Sequence, residues 1–489
     1  MVHSLSSDSH TSRSELCAGG FSLIEKFFSP RSIAVVGASN NPNRFGYNVM
    51  TNLIEAGFDG DVFPVSLKES IVFDRVAYKS ILDVPGAVDL AIMIIPATTV
   101  PSAVEECGKK GIKAISILSG GFSEVGREGT ELEEEVTNTA KRCGIRVVGP
   151  NCVGTMNTRK NLNASFVMRS IKGNMGLITQ SGALGASCAY VSKREMLGFS
   201  KFVNLGNASD VSVPEIIRYY TQDPETRVIG IYLEGVKDGR KFLDAIGEAT
   251  PIKPIVIVKA GRTEQGARAA SSHTGSLAGS DKIYKAIFKQ KGVTRVGSLF
   301  ELIDVAKAFT KQPLPKGKRV GIITNAGGAG VLATDASSDY GLTISSLTQE
   351  TVKSLRAFLP DVAILNNPVD IIASANKDCY RKTTETVASD VNTDALIVNC
   401  VVPTFLGMKP SEHAEGVVEA YNNSVKRQGK LLVCCWMAGE LADPGREILE
   451  NVGIPAYSSP ERAALAVSCL ANYNEFATRI KKQRKERDG

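Results

Sequence analysis

Short β-branched runs alternate with longer amphipathic stretches over almost the whole of this chain, and that alternation limits the fold more than any other feature. Residues 32–37 (SIAVVG), 61–65, 90–96, 114–118 and 146–149 read as strands. Helical stretches such as 98–110 and 129–142 lie between them. Alternating strand and helix implies parallel sheets wound by helices on both faces. A second series opens at 176–180 (GLITQ) and continues through 201–205, 228–233 and 255–259. The stretch 311–318 (KQPLPKGK) sets two prolines and a glycine among charges and reads as a linker. A third series opens at 319–324 and has strands near 395–400 and 430–434.

The chain has 489 residues, enough for about three domains. The expected fold class is α/β, with three doubly wound domains. Expected boundaries are a disordered leader at 1–20, domains at 21–160, 161–312 and 317–476, and a basic tail at 477–489. The second and third domains begin alike, with GLITQSGALG at 176–185 and GIITNAGGAG at 321–330. Each is an apolar strand, a polar pair and then small residues entering a helix, which points to a duplicated domain. The repeat is too long for a solenoid.

A hydrophobic share of 43% and a charged share of 22% are those of a soluble globular protein. The net charge of +6 suits an anionic small ligand and gives no argument for nucleic acid. Much of the excess falls in KKQRKER at 481–487, read as a solvated helix end. Ten cysteines lie scattered in apolar runs with no C-x-x-C pair, the pattern of buried thiols in a reducing compartment. The apolar runs are too short to span a bilayer. The first twenty residues are serine-rich and lack the apolar core of a secretory signal. A cytoplasmic protein is expected.

The first series carries Val36-Gly37-Ala38-Ser39 directly after its first strand, with Gly46 at a helix start. Such a turn brings backbone N–H groups to a phosphate, or it is a plain tight strand–helix turn. It is not G-x-G-x-x-G, so a standard nicotinamide dinucleotide site is disfavoured. Further loops at strand ends hold Pro64 with Lys68, Pro96, Gly120-Gly121 and Asn151. In an open α/β sheet the ligand crevice lies beyond the carboxyl ends of the strands, where these loops would converge. A lone lysine such as Lys68 is more often simply solvated. The paired glycine loops at Ser181-Gly182 and Gly327-Gly328 open helices and would present unpaired N–H groups to a phosphoryl group. Otherwise their glycines serve close strand–helix packing.

Of four histidines, His3 and His10 lie in the leader and His413 in a polar stretch. His273 sits in a run of small residues, ARAASSHTGSLAG at 267–279, read as a loop able to pass close to other backbone. With no acidic neighbour it is a poor metal ligand, and no metal site is expected. A lone histidine is more often structural. Its best companion is Glu234, a carboxylate ending an apolar strand (YLEG, 232–235). A carboxylate on one imidazole nitrogen fixes the tautomer and frees the other as a nucleophile. The alternative is an ordinary strand-end glutamate.

GPNCVG at 149–154, TQSGALG at 179–185, YLEG at 232–235, SSHTGSLAG at 271–279 and TNAGGAG at 324–330 together resemble the α subunit of the ADP-forming acyl-CoA synthetases. These are the ADP-forming acetate–CoA ligases, relatives of succinyl-CoA synthetase. The resemblance covers about 21–476. It implies an N-terminal Rossmann-like CoA-binding domain followed by two flavodoxin-like, succinyl-CoA synthetase-like domains. It implies CoA contacts at Gly37, Ser39, Pro64, Lys68, Pro96 and Asn151. His273 becomes the phosphate carrier and Glu234 the residue that orients it. Ser181, Gly182, Gly327 and Gly328 become the two helix starts that hold the phosphohistidine. The reaction implied is acyl-CoA + ADP + phosphate = carboxylic acid + ATP + CoA, with acetate the default acid. No segment resembles ATP-grasp, so the resemblance implies a separate ATP-grasp β subunit in an α2β2 assembly. ADP/ATP and Mg2+ would sit mainly on that subunit. One departure stands out: the family's usual Asn-Pro-Lys reads Ser66-Leu67-Lys68 here, which puts the local CoA contacts in doubt. Alternatives are the same chemistry on another acid (succinate, propionate, a hydroxyacid or an aryl acid) and a noncatalytic CoA-binding regulatory protein. The presence of both His273 and Glu234 argues against the latter.

Overall fold

The computed structural model describes residues 23–274, 280–403 and 410–488. The chain forms two compact units, residues 1–291 and 292–489. The leader expected at 1–20 lies outside the described residues.

The first unit begins with β1 (Ser32–Val36), α1 (Phe45–Glu55), β2 (Asp61–Val65), a short hairpin β3 (Ile71–Val72) and β4 (Arg75–Val76), β5 (Leu90–Met93), α2 (Val100–Lys110), β6 (Ala114–Ile117), α3 (Arg127–Cys143) and β7 (Arg146–Val148). The sheet order is β2-β1-β5-β6-β7, all parallel. Parallel strands covered on both faces need nearly continuous apolar runs, and LAIM in β5 and AISI in β6 are buried throughout. Ala91, Ile115 and Val147 pack with Val104 of α2 and Val136 of α3 in one core cluster. Both helices stop at a glycine in the left-handed conformation, Gly111 and Gly144, where a side chain would be strained.

Gly37 has φ +99°, and a β-carbon there would lie 2.2 Å from the Ile94 carbonyl oxygen. One on Gly46 would lie 2.1 Å from the carbonyl oxygen of Gly37. Both glycines are therefore fixed by backbone packing of β1, β5 and α1 before any ligand is considered.

The second sheet of this unit contains β8 (Gly154–Asn157), β9 (Leu162–Ser165), β10 (Lys172–Thr179), α4 (Gly182–Arg194), β11 (Phe199–Asn204), α5 (Val213–Gln222), β12 (Val228–Leu233), α6 (Gly239–Ala249), β13 (Ile255–Lys259), α7 (Glu264–Thr274) and α8 (Asp281–Lys291). Within this unit its strands run in the order β13-β12-β10-β11-β8-β9, parallel from β13 to β11 and antiparallel beyond. The passage from one sheet to the other thus falls between Val148 and Gly154, earlier than the boundary expected at 160. A second difference concerns 267–279, expected as a loop. It is helical to Thr274 as the end of α7, and 275–279 lie outside the described residues.

The second unit contains β14 (Thr294–Val296), α9 (Leu299–Lys311), β15 (Arg319–Thr324), α10 (Gly327–Asp339), β16 (Thr343–Ile344), α11 (Gln349–Arg356), β17 (Val369–Asp370), α12 (Lys377–Ser389), β18 (Ala395–Val401), α13 (Pro410–Ala420), β19 (Leu431–Met437), α14 (Asp443–Asn451), β20 (Ala456–Tyr457) and α15 (Pro460–Asp488). Its sheet is parallel in the order β16-β15-β18-β19-β20, with β17 also on β15. The basic run expected as a solvated helix end continues α15, and its described side chains are exposed.

The two copies agree atom by atom at their first turns. Thr179 Oγ1 donates to the Ser181 carbonyl and accepts from the Ser181 amide. Thr324 Oγ1 makes the same two bonds with Ala326. A β-carbon on Gly185 would lie 2.7 Å from the Thr179 methyl, and one on Gly330 would lie 2.9 Å from that of Thr324. The threonine methyl fills the space beneath the helix, and that is the physical reason for both glycines. The expected duplication is therefore visible in the packing.

Candidate functional site

In the second sheet the chain leaves β10 towards β11 on one side and returns to β12 on the other. The carboxyl ends of β10 and β12 consequently lie side by side, the crevice position of an open α/β sheet. Gln180, one residue past β10, clamps the end of β12. Its Oε1 accepts from the amides of Glu234 at 2.6 Å and Gly235 at 3.1 Å, and its Nε2 donates to the Gly235 carbonyl at 3.1 Å. Lys259, the last residue of β13, donates to the Glu234 carbonyl at 2.9 Å. Burial, and then the Glu234 carboxylate, push the Tyr232 hydroxyl up to about 12.

Ser181 caps α4, its hydroxyl accepting from the Leu184 amide at 3.4 Å. Gly182 opens the helix, and a β-carbon there would lie 2.7 Å from the Val153 side chain. His273 occupies the last turn of α7, the helix that follows β13. Its side chain lies outside what is described.

Ser181, Gly182, Gln180 and Glu234 line one wall of a cleft of about 1230 Å³ within the first unit. The opposite wall comes from the first sheet's loops and includes Gly120, Glu124 and Asn151. Phe45 and Phe166, stacked with ring centroids 4.6 Å apart, also line it. Asn151 holds φ +57°, and its Nδ2 donates to Asn207 Oδ1 at 3.3 Å. Asn207 ties the two walls together, its own Nδ2 donating to Glu124 at 2.7 Å and Glu133 at 2.8 Å. Burial would raise the Glu124 carboxyl, but bonds from Asn207 and the Gly121 and Phe122 amides outweigh burial and hold it below the usual carboxylate range.

Of the six expected CoA residues, Asn151 alone lines this cleft. Gly37 lies at the end of β1. Pro64 is a buried residue inside β2, its carbonyl accepting from the Tyr78 amide. Its expected place in a strand-end loop is corrected, because β2 continues to Val65. Ser39 is buried, with its hydroxyl on Glu69, and Lys68 is exposed. Pro96 is exposed, and its carbonyl accepts from the Thr99 amide and hydroxyl. Gln180 and Asn207, which also line the cleft, were not among the expected site residues. Gln180 stands in the quoted TQSGALG motif, whereas Asn207 gives no sequence signal.

Gly327 and Gly328 are exposed at the start of α10 in the second unit. There Asn325 repeats the clamp of Gln180. Its Oδ1 accepts from the Val401 amide and its Nδ2 donates to the Val401 carbonyl, both at 2.9 Å. Register places Val401 where the first copy has Glu234. The second copy keeps the helix start and lacks the carboxylate.

Three family models match the chain: "CoA binding domain" over residues 31–158, "Succinyl-CoA ligase like flavodoxin domain" over 172–309 and "Ligase-CoA domain" over 320–479. The alpha subunit of acetate–CoA ligase [ADP-forming] II of Pyrococcus furiosus is 47% identical, covering 92% of this chain and 97% of its own length. The chain belongs to the ADP-forming acetate–CoA ligase family. Among solved structures, acetyl-coenzyme A synthetase 1 of Ca. Korarchaeum cryptofilum, in complex with phosphate and ADP, aligns with a TM-score of 0.88 at 36% identity. That match covers 94% of this chain and 98% of the other. A longer acetate–CoA ligase [ADP-forming] of Archaeoglobus fulgidus is 39% identical over 93% of this chain, which spans 64% of that relative. Against ADP-forming acetate–CoA ligases of both lengths, the match covers both units of this chain.

Proposed function

We propose that this chain is the α subunit of an ADP-forming acyl-CoA synthetase, converting acyl-CoA, ADP and phosphate into a carboxylic acid, ATP and CoA, with acetate the default acid. The observation that carries the reading is the switch point of the second sheet. There the Ser181–Gly182 helix start and Glu234 meet through Gln180, and α7 with His273 follows the neighbouring strand.

In this reading a phosphate oxygen attacks the thioester carbonyl carbon. The C–S bond breaks, the thiolate takes a proton, and an acyl phosphate forms. An imidazole nitrogen of His273 then attacks phosphorus, and the carboxylate of the acid leaves. Finally an oxygen of the ADP β-phosphate takes the phosphoryl group and frees the imidazole. Glu234 orients the ring and stabilises its positive charge. The N–H groups at Ser181–Gly182 compensate a phosphoryl dianion without a metal. Within the second unit, the Gly327–Gly328 start is proposed as a second phosphate-binding helix start. CoA is proposed to bind the first sheet's strand ends, through Gly37, Ser39, Lys68, Pro96 and Asn151, without Pro64, which is buried inside β2. The cleft of about 1230 Å³ that Asn151 lines supports this reading, since a pantetheine arm needs such room.

ADP and Mg2+ are assigned mainly to a separate ATP-grasp β subunit, in an α2β2 assembly. Among the described residues no helix is long and apolar enough to cross a membrane. The nine described cysteines are all unpaired, which supports the proposed cytoplasmic location.

The test combines the chain with its β partner, acetyl-CoA and labelled phosphate. Acid-labile label is expected on the α chain. If His273→Ala takes up label and makes ATP as well as the unmodified protein, the mechanism is wrong. A panel of acids then addresses specificity.

A further inference from the structure

The β1–α1 turn of the first sheet is closed from within by a carboxylate. Glu69, four residues past the end of β2, reaches across to it. One of its oxygens accepts from the Ser39 hydroxyl at 2.8 Å and the Asn40 amide at 3.1 Å. The other accepts from the same amide at 3.1 Å and from Asn40 Nδ2 at 2.6 Å. The segment carrying Glu69 is fastened in place. Asn40 Nδ2 donates to the Ile71 carbonyl, the Phe73 amide donates to Asn40 Oδ1, and Lys79 donates to the Leu67 and Glu69 carbonyls. Among the described residues no lysine or arginine forms an ion pair with the Glu69 carboxylate, whose direct partners are the Ser39 hydroxyl and the Asn40 amide and side chain.

These are the donors that a phosphate oxygen would use at a strand–helix turn. A carboxylate is an anion of similar reach, and it already has them. We propose that Glu69 is a built-in competitor of coenzyme A: its carboxylate must leave the Ser39–Asn40 donors before a phosphate of the coenzyme takes them, and it thereby sets the affinity for that substrate. The inference rests on the reading that the first sheet binds coenzyme A. It makes Glu69 a residue that determines coenzyme affinity, acting by release and not by contact. Coenzyme A carries phosphate in two places, the diphosphate and the ribose 3′-phosphate, and dephospho-CoA lacks the second.

The experiment is calorimetric titration of the full chain with coenzyme A and with dephospho-CoA, for the unmodified protein, Glu69→Gln and Glu69→Ala. In Glu69→Gln an amide N–H₂ faces the Asn40 donors, and Glu69→Ala leaves the donors open. Removing a like charge a few ångströms from a phosphate at a solvated surface should tighten binding about 5- to 10-fold. The gain should shrink towards about 0.5 M salt, as a charge effect must. A gain for coenzyme A alone supports the proposal and assigns the turn to the 3′-phosphate. A gain for both ligands supports it and assigns the turn to the diphosphate. Affinity unchanged or weakened in both variants overturns it, because Glu69 is then only a fastening of the loop. If the unmodified chain binds neither ligand, the assignment of coenzyme A to the first sheet falls, and the inference falls with it.

Discussion

Gln180→Ala removes the clamp that fixes the end of β12. Three hydrogen bonds disappear: those from the Glu234 and Gly235 amides and that to the Gly235 carbonyl. Each is part-buried, so water can replace some of what is lost. At about 1 kcal/mol net per bond, the first unit should lose about 2–3 kcal/mol. For a cooperative unit of this size that is a fall in Tm of about 4 °C. The same energy no longer holds the Glu234 peptide, so labelling of His273 by phosphate and acetyl-CoA should slow by about 30-fold or more. Gln180→Glu separates the parts, since it keeps an acceptor oxygen for the Glu234 and Gly235 amides and replaces the donor to the Gly235 carbonyl with a second oxygen. It should lie between the unmodified protein and Gln180→Ala in Tm. The measurements are thermal unfolding and rapid-quench labelling with the β partner present. If Gln180→Ala melts within a degree of the unmodified protein and labels within a factor of two of it, the clamp does not position Glu234.

Two further predictions concern the second unit. Lys307 and Glu450 form a buried pair at 2.8 Å, and Glu450 also meets Lys311 at 2.5 Å and the Ala456 amide at 2.8 Å. Lys307→Met should cost about 2–4 kcal/mol in urea unfolding, below the full loss of a buried pair because Lys311 remains, and Lys307→Met/Glu450→Gln should recover part of it; a double variant no more stable than the single would refute the coupling. His413 is buried with Nε2 on the Ala375 carbonyl, and burial holds its pKa below the ordinary value against smaller opposing effects of that bond and of Glu412. The unfolded chain therefore takes up the proton first as pH falls through the ordinary histidine range, so stability drops on acidification below about pH 6.5. His413→Asn should lessen the difference in Tm between pH 7.5 and 5.5, and an unchanged difference would remove His413 as a cause.

The alternation of β-branched and amphipathic runs made the parallel sheets legible, because strands buried on both faces tolerate little but apolar residues. The duplicated opening was legible for the same reason, and the Thr179–Gly185 and Thr324–Gly330 contacts give its physical basis. The end of α7 was not legible: ARAASSHTG contains no apolar stripe, so its helical state follows from its context in the unit and not from its pattern. The pairing of Glu69 with Ser39 and Asn40 was equally hidden. The partners stand 29 and 30 residues apart, and only the adjacency of β1 and β2 brings them together.

By itself the sequence determined the fold class, the repeat and the short list of chemical residues, since each depends on local pattern or residue type. It also named Glu234 and Ser181 without relating them. The strand order decided that relation: β10 and β12 are neighbours, so residues more than fifty positions apart share one strand-end crevice. The same tertiary closeness decided which glycines are demanded by backbone contact and which turn already holds a carboxylate. Such features depend on distances between separate elements, which packing sets and local sequence does not encode.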